Sequence, residues 1–381
     1  MSVPPWLAGR RLTPADLTAD GNAFTALRWL LASTVMFSHG WDLTQWRTGL
    51  DPSVAVLGFP VAGLAVFLFF TLSGFLVTGS LVKRGPVAFG VARALRLIPG
   101  LWVMLIVVTL GLGAWVGTLP FAEYLRDPRT WRYIVDNALL LTADYRLPGV
   151  FENLPIRGVN GSLWTIPQEV RCYLVLGILG AIGAMRSRRW LLAALLIGVL
   201  VQIAVPLDAI PALDRPRRLA LSFFLGVVAY QWRGELRWSW PLALAAVAAA
   251  LGLVRAPLPP AVSMVALQIA FAYLTGVVAF LGPPWLKSIS RRLPDYSYGI
   301  YIYAFPAQQL AVELGWGRTP LSNIAAGFAL LLPFAAASWH LIEKPALTLK
   351  PRSVLRVAPQ VSENLTHDSQ PRNQPRGKSV T

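Results

Sequence analysis

Val56-Leu-Gly-Phe-Pro-Val-Ala-Gly-Leu-Ala-Val-Phe-Leu-Phe-Phe-Thr-Leu-Ser-Gly-Phe-Leu-Val-Thr-Gly-Ser-Leu81 carries no charged residue, and Lys83 and Arg84 follow it at once. A helix of about 20 apolar residues crosses the hydrocarbon of a bilayer. This stretch therefore reads as a membrane span with a basic anchor at its end. Working outward, nine more runs of similar character appear. They are Asn22–Trp41, Ile98–Pro120, Trp164–Met185, Trp190–Leu207, Leu219–Gln231, Ser239–Val254, Ala261–Leu281, Tyr296–Trp316 and Leu321–Ile342. The expected class is all-α: one polytopic transmembrane helical bundle with about ten spanning helices.

Composition agrees. Hydrophobic residues make up 55% of the 381 positions, charged residues only 14%, and mean hydropathy is +0.54. A soluble domain carries about 25% charged residues. Fifteen Trp suit a protein with two membrane interfaces. The net charge of +16 does not mark a nucleic-acid binder, because the basic residues fall in short clusters between apolar runs. That distribution is what the positive-inside rule produces. With an inside N-terminus, alternate segments hold 21 Lys and Arg inside against 11 outside. Both termini are expected in the cytoplasm. Cys172 stands alone and only His39, His340 and His367 offer imidazoles, so no metal site is expected.

Residues 1–21 read as a polar cytoplasmic segment without the apolar core of a signal peptide. Residues 22–346 form the membrane domain, and 347–381 read as a disordered cytoplasmic tail. Phe121–Gly161 is a long outer loop in which Trp131–Thr142 is amphipathic enough to lie on the membrane surface.

Ionisable residues inside spans are costly, so each needs a partner or a purpose. The first span contains Arg28 and His39. Eleven helical residues bring them to one face about 16 Å apart, Arg28 toward the cytoplasm and His39 toward the outside. One reading is lipid anchoring by both. The other is a polar seam with an anion-binding group at one end and a base at the other. Glu169, in Asn160-Gly-Ser-Leu-Trp-Thr-Ile-Pro-Gln-Glu169-Val-Arg171-Cys-Tyr173, sits at a similar depth below the outer surface. It either supports His39 as a carboxylate partner or pairs locally with Arg171. Ser73-Gly74 is either a packing contact or part of a donor site. Arg93 and Arg96, three apart on one helical face, are either a phosphate grip or a positive-inside anchor. Glu343, at the end of the last span, reads as a salt-bridge partner on the Arg93 and Arg96 side.

Together these pieces resemble the acyltransferase-3 family of integral membrane proteins, the bacterial O-acetyltransferases that decorate cell-surface polysaccharides. The resemblance runs from Arg28…His39 through Phe69-Phe-Thr-Leu-Ser-Gly74, Arg93-Ala-Leu-Arg-Leu-Ile-Pro99 and Asn160…Trp164…Glu169…Tyr173. It continues in Ser297-Tyr-Gly-Ile-Tyr301 and closes at Glu343-Lys-Pro345. It implies an enzyme of the inner membrane that takes acetyl from acetyl-CoA, as donor rather than bound cofactor, and gives it to a hydroxyl of a glycan or glycolipid. By resemblance His39 is the catalytic histidine with Arg28 its partner, and Ser73, Gly74, Arg93 and Arg96 serve the acyl-CoA. One departure stands out: Ala304 occupies a position where many members carry a second histidine. No fused outer domain is expected after the last span, so a second transfer stage is expected to fall to a separate extracytoplasmic transferase. The competing readings are a transporter or flippase of a lipid-linked sugar, and a non-catalytic scaffold. The absence of an inverted repeat speaks against the transporter.

Overall fold

The computed structural model of the protein describes residues 9–45, 51–140, 143–206 and 209–351. Most of the expected tail, 352–381, lies outside the described residues, as do 1–8 of the N-terminal segment. Ten long helices carry the fold: α1 (Phe24–Gln45), α2 (Val61–Arg84), α3 (Pro86–Ile106), α4 (Thr165–Ala181) and α5 (Arg188–Ala204). They continue as α6 (Pro211–Gln231), α7 (Trp240–Val254), α8 (Pro260–Leu281), α9 (Ser297–Glu313) and α10 (Pro320–Ala337). Among the described residues, four helical stretches are long and apolar enough to cross a membrane: α2, α3 with its extension to Val116, α8, and α10 with its extension to Thr348.

Both extensions pass through a π-helical turn, at Val107–Gly113 and Ser338–Glu343. In the second, Pro345 follows closely. Proline lacks an N–H and crowds the carbonyl four residues earlier, and a widened turn relieves that conflict. Turns of this kind recur at functional sites, and this one turns Glu343 fully into the interior.

The tightest helix pair is α2 with α6. A Cβ on Gly74 would sit 2.0 Å from the Phe223 carbonyl oxygen, and one on Gly226 would sit 2.0 Å from that of Thr71. Only two glycines facing each other's backbone permit this approach. The Thr71 hydroxyl adds a bond to the Ser222 carbonyl at 3.0 Å. Helix α9 is the central element, buried on most of its length. Its Gln308 donates to the Met36 carbonyl at 2.9 Å and to Asn323 at 2.8 Å, tying α9 to α1 and α10.

One departure from an all-helical fold is a two-residue ladder, with Arg10 opposite Trp238 and Arg11 opposite Arg237. It fastens the N-terminal segment to the α6–α7 turn. The same segment reaches the end of α8, where Ala23 donates to the Ala279 carbonyl at 2.9 Å. The Arg10–Asp16 bridge at 2.7 Å holds it in shape and keeps the Asp16 carboxyl well below its usual range. Three segments assigned to one side by their charge thus meet on one face of the bundle.

The long connection after α3 behaves in two ways. Its first part folds as short helices Phe121–Arg126 and Pro128–Ala138, the second with Trp131 and Val135 exposed. Residues 141–142, the end of the expected amphipathic stretch, lie outside the described residues. The later part does not stay on the surface. Gln309 donates to the carbonyls of Ile156 and Gly158 at 2.6 and 2.7 Å, Asn160 donates to the Ile302 carbonyl at 2.8 Å, and Thr165 meets the Tyr301 hydroxyl at 2.7 Å. From Gln309 back to Tyr301 is about 12 Å of helix, so this segment descends along α9 into the bundle. Helix α4 therefore begins deep inside rather than at a surface.

Candidate active site

Five of the residues singled out by sequence line one cavity of ≈120 Å³: Arg28 from α1, Ser73 from α2, Arg93 and Arg96 from α3, and Glu169 from α4. Tyr173, Tyr298 and Tyr301 complete its polar wall. The Ser73 hydroxyl donates to Glu169 Oε1 at 3.1 Å and lies 2.9 Å from the Tyr173 hydroxyl, which itself donates to the same carboxylate oxygen. Ser73, Glu169 and Tyr173 form a hydrogen-bonded trio in the wall of the cavity.

The arginines divide into two kinds. Arg96 is buried and fully engaged, with Nη1 donating to Glu343 at 3.0 Å and Nη2 to Asp295 at 2.8 Å. Arg28 donates to the same Asp295 oxygen at 2.8 Å. Ser338 donates to the second oxygen of Glu343, and Ser297 to the second oxygen of Asp295. Asp295 lies in the turn before α9. Burial opposes its ionisation, yet the charges of Arg28 and Arg96 outweigh that and hold its carboxyl at about 2. Arg93 has no acidic partner among the described residues. Its guanidinium lies 6.0 Å from the Tyr173 ring, and its Nε is buried without a hydrogen bond. Of the expected phosphate-gripping pair, Arg96 is therefore committed to structure and Arg93 is available. The salt bridge expected for Glu343 is present.

Near the N-terminal end of α3, Lys350 lies in the field of Arg93, Arg96 and Arg84, and Arg84 bonds the Pro351 carbonyl at 2.7 Å. Burial and then these like charges push the Lys350 ammonium down to about 8. The mouth of the cavity is thus rich in cations.

Two expected site residues lie elsewhere. Gly74 packs against α6, as described, and is absent from the cavity wall. His39 is neither bonded to Arg28 nor in contact with Glu169. The expected Glu169–His39 contact placed both at equal depth below an outer surface, and the descent of the chain before α4 removes that premise. The local alternative is absent as well, since Arg171 donates to Gln168 at 3.0 Å. The His39 ring instead meets the edge of Phe305, centroids 5.1 Å apart, and its Nδ1 is buried without a partner.

Phe305 lines a second cavity, of ≈1170 Å³, together with Gly161, Trp164, Arg157 and Arg215. Gly161 is needed there, because a Cβ would stand 2.7 Å from the Phe305 ring. His39 thus lies behind the floor of this wide vestibule, and the Ser73–Glu169–Tyr173 cavity lies beyond the Thr165–Tyr301 contact. His340 belongs to neither, being bonded to Tyr296 at 2.8 Å. Asp295 was missed by the sequence reading. The signal for it was electrostatic: two inward arginines required an acid, and Pro294-Asp295 is the one at the start of the tyrosine-rich helix.

A helical bundle with apolar spans, a part-buried acid–hydroxyl trio in one cavity and an imidazole packed on a wall residue of a second has the makings of a membrane-bound group-transfer enzyme. Comparison with known proteins gives the family. The acyltransferase-3 model, described as an acyltransferase domain, matches residues 22–341. The chain belongs to this family and is an acyltransferase. It is 28% identical over 350 residues to an O-acetyl transferase of Shigella phage Sf6, covering 86% of this chain and 96% of that one. It is 30% identical over 376 residues to nodulation protein 10 of Rhizobium leguminosarum bv. viciae, covering 88% and 95%. No solved structure matches it.

Proposed function

We propose that the protein is an O-acetyltransferase of the inner membrane, taking acetyl from acetyl-CoA at the cytoplasmic face and passing it to a glycan hydroxyl presented from outside. In this reading all ten long helices span the bilayer with both termini inside, as the 21-to-11 basic distribution favours. The observation that carries the reading is the adjacency of two cavities at the start of α4, where Trp164 lines the wide one and Thr165 the inner one, with His39 packed on Phe305 of the wide one.

The thioester enters the inner cavity, and Arg93 takes a phosphate of the coenzyme in a forked contact that Arg96 is not free to make. The acceptor hydroxyl approaches through the vestibule. His39 removes its proton as the oxygen attacks the thioester carbonyl. The ester C–O bond forms, the C–S bond breaks, and the coenzyme leaves as a thiolate that takes up a proton. Tyr173 stays bonded to Glu169, and the Ser73 hydroxyl, turning its one proton away from that carboxylate, is the donor for the developing oxyanion. Where transfer proceeds in two stages, a separate extracytoplasmic transferase completes it.

Opposed cavities also suit a transporter or flippase of a lipid-linked sugar, which is the second reading. Purified protein in nanodiscs, given radiolabelled acetyl-CoA, separates them. Label on protein or glycan supports transfer, whereas intact acetyl-CoA together with sugar flux would refute it. Cysteine labelling at Asp127 outside and Arg188 inside tests the orientation.

A further inference from the structure

A third cavity, of ≈540 Å³, lies between α4, α5 and α6. Its walls are apolar at one end, with Leu179, Ala194 and Leu195, and polar at the other, with Arg171, Gln202 and Arg217. The polar end draws on the first two turns of α4, the last turn of α5 and the first two turns of α6. The flanking surfaces are open and greasy: Ile178 is 60% exposed and Leu200 65%. The groove thus opens sideways.

Ordinary acyl chains would satisfy the apolar end but not the polar one. Gln202 is almost completely buried, and its Nε2 has no hydrogen-bond partner among the described residues. A buried donor left unmade costs about 1–3 kcal/mol. Arg171 is exposed and, among the described residues, bonded only to the neutral Gln168. Arg217 shares Asp214 with Arg218, so that cluster also keeps a net positive charge. The head of the groove is a cationic, donor-rich patch above a hydrocarbon slot, with Arg217 held by Asp214 and the carbonyls of Val201 and Pro206 and with Arg171 and Gln202 left to meet a ligand. Two residues along α6, Arg215 lines the vestibule and lies 5.5 Å from the ring of Trp164.

From this geometry we infer that the groove binds the carrier of a lipid-phosphate-linked sugar, with its hydrocarbon chain between α4, α5 and α6 and its phosphate at Arg171 and Gln202. The attached sugar then reaches the vestibule past Trp164 and Arg215. The inference rests on the acyltransferase reading for its purpose, and it makes the acceptor a membrane-borne one that enters laterally.

The probe is geranylgeranyl phosphate, with geranylgeraniol and phosphatidylglycerol as controls, bound to the full chain in nanodiscs and read by native mass spectrometry. The phosphate form should be retained in preference to both controls. Gly198→Phe should abolish retention, because a Cβ there meets only Leu221, at 3.7 Å, and the ring fills the slot. Arg171→Gln, on an exposed position, should weaken retention about tenfold, the size of one charge-assisted hydrogen bond. Equal retention by wild type and Gly198→Phe overturns the site, and free exchange with phosphatidylglycerol reduces it to annular lipid. Acetyl-CoA binding on the same preparations should be unchanged in both variants and reports their folding. Wild type that retains the probe but binds no acetyl-CoA would count against the acetyl-CoA donor reading instead.

Discussion

Replacing Asp295 with Asn tests the electrostatic frame of the inner cavity. The carboxylate accepts from Arg28 and Arg96, both at 2.8 Å, and is only 23% exposed. Its carboxyl is held at about 2 against an ordinary 3.8, with burial working against that drop and the two arginines producing it. A difference of that size is worth about 2 kcal/mol at neutral pH. Asparagine keeps one acceptor oxygen but leaves Arg28 without an acid, while Arg96 retains Glu343. The sign in acid follows from the lowered value. The contribution is complete above about pH 4 and fades as pH falls toward about 2, where the native carboxylate takes up its proton. Unfolding of wild type and Asp295→Asn in detergent, followed from pH 7 downward, should show a gap of about 2 kcal/mol that closes in acid. A gap below about 0.5 kcal/mol at pH 7, or one that persists undiminished at the acid end, would refute the bridging role.

His39→Ala should lower turnover by about 10²-fold or more while acetyl-CoA binding persists, as measured by kcat and by donor binding on the same sample. Arg93→Lys should raise the KM for acetyl-CoA with little loss of stability, because Lys keeps the charge and loses the fork. Arg96→Lys should do the reverse, lowering Tm, since one ammonium cannot reproduce the geometry shared by Asp295 and Glu343; equal effects of the two changes would undo the division between them. Gly74→Ala should cost about 1–3 kcal/mol or prevent assembly, because the added methyl meets the Phe223 carbonyl; a variant with wild-type Tm would contradict the close α2–α6 contact.

Much of the helical layout was legible because each apolar run is a local property. Every run named from the sequence coincides with one of α1–α10 to within a few residues or a turn or two, apart from the third and sixth. Helix α3 starts earlier, at Pro86, because the Arg93–Arg96 segment is itself helical, and α6 starts at Pro211 with three arginines in its opening turns. Periodicity in an apolar index passes over such charged turns, whose charges are answered by Asp214 or by other helices. The inner cavity was legible in part. Ser73, Glu169, Arg28, Arg93 and Arg96 are conspicuous as polar residues in apolar surroundings, and they do converge. Which of them touch was not legible. Depth along a helix was counted from an assumed surface, and the descent of residues 156–165 along α9 invalidated that count for Glu169. Asp295 sits in a short polar turn, where an acid is unremarkable until its two arginines are known.

The contact of Gly74 with Gly226 has a mechanical consequence. Most helix pairs meet through side chains, which act as a compliant layer and let one helix slide on the other. Here backbone lies directly on backbone, so α2 and α6 behave as a single stiff beam. Ser73 is fixed near the middle of that beam, and Arg215 and Arg217 near one of its ends. Any rearrangement that admits or releases a substrate must hinge in the other helices, while the spacing between Ser73 and the arginines at the start of α6 is held by the beam.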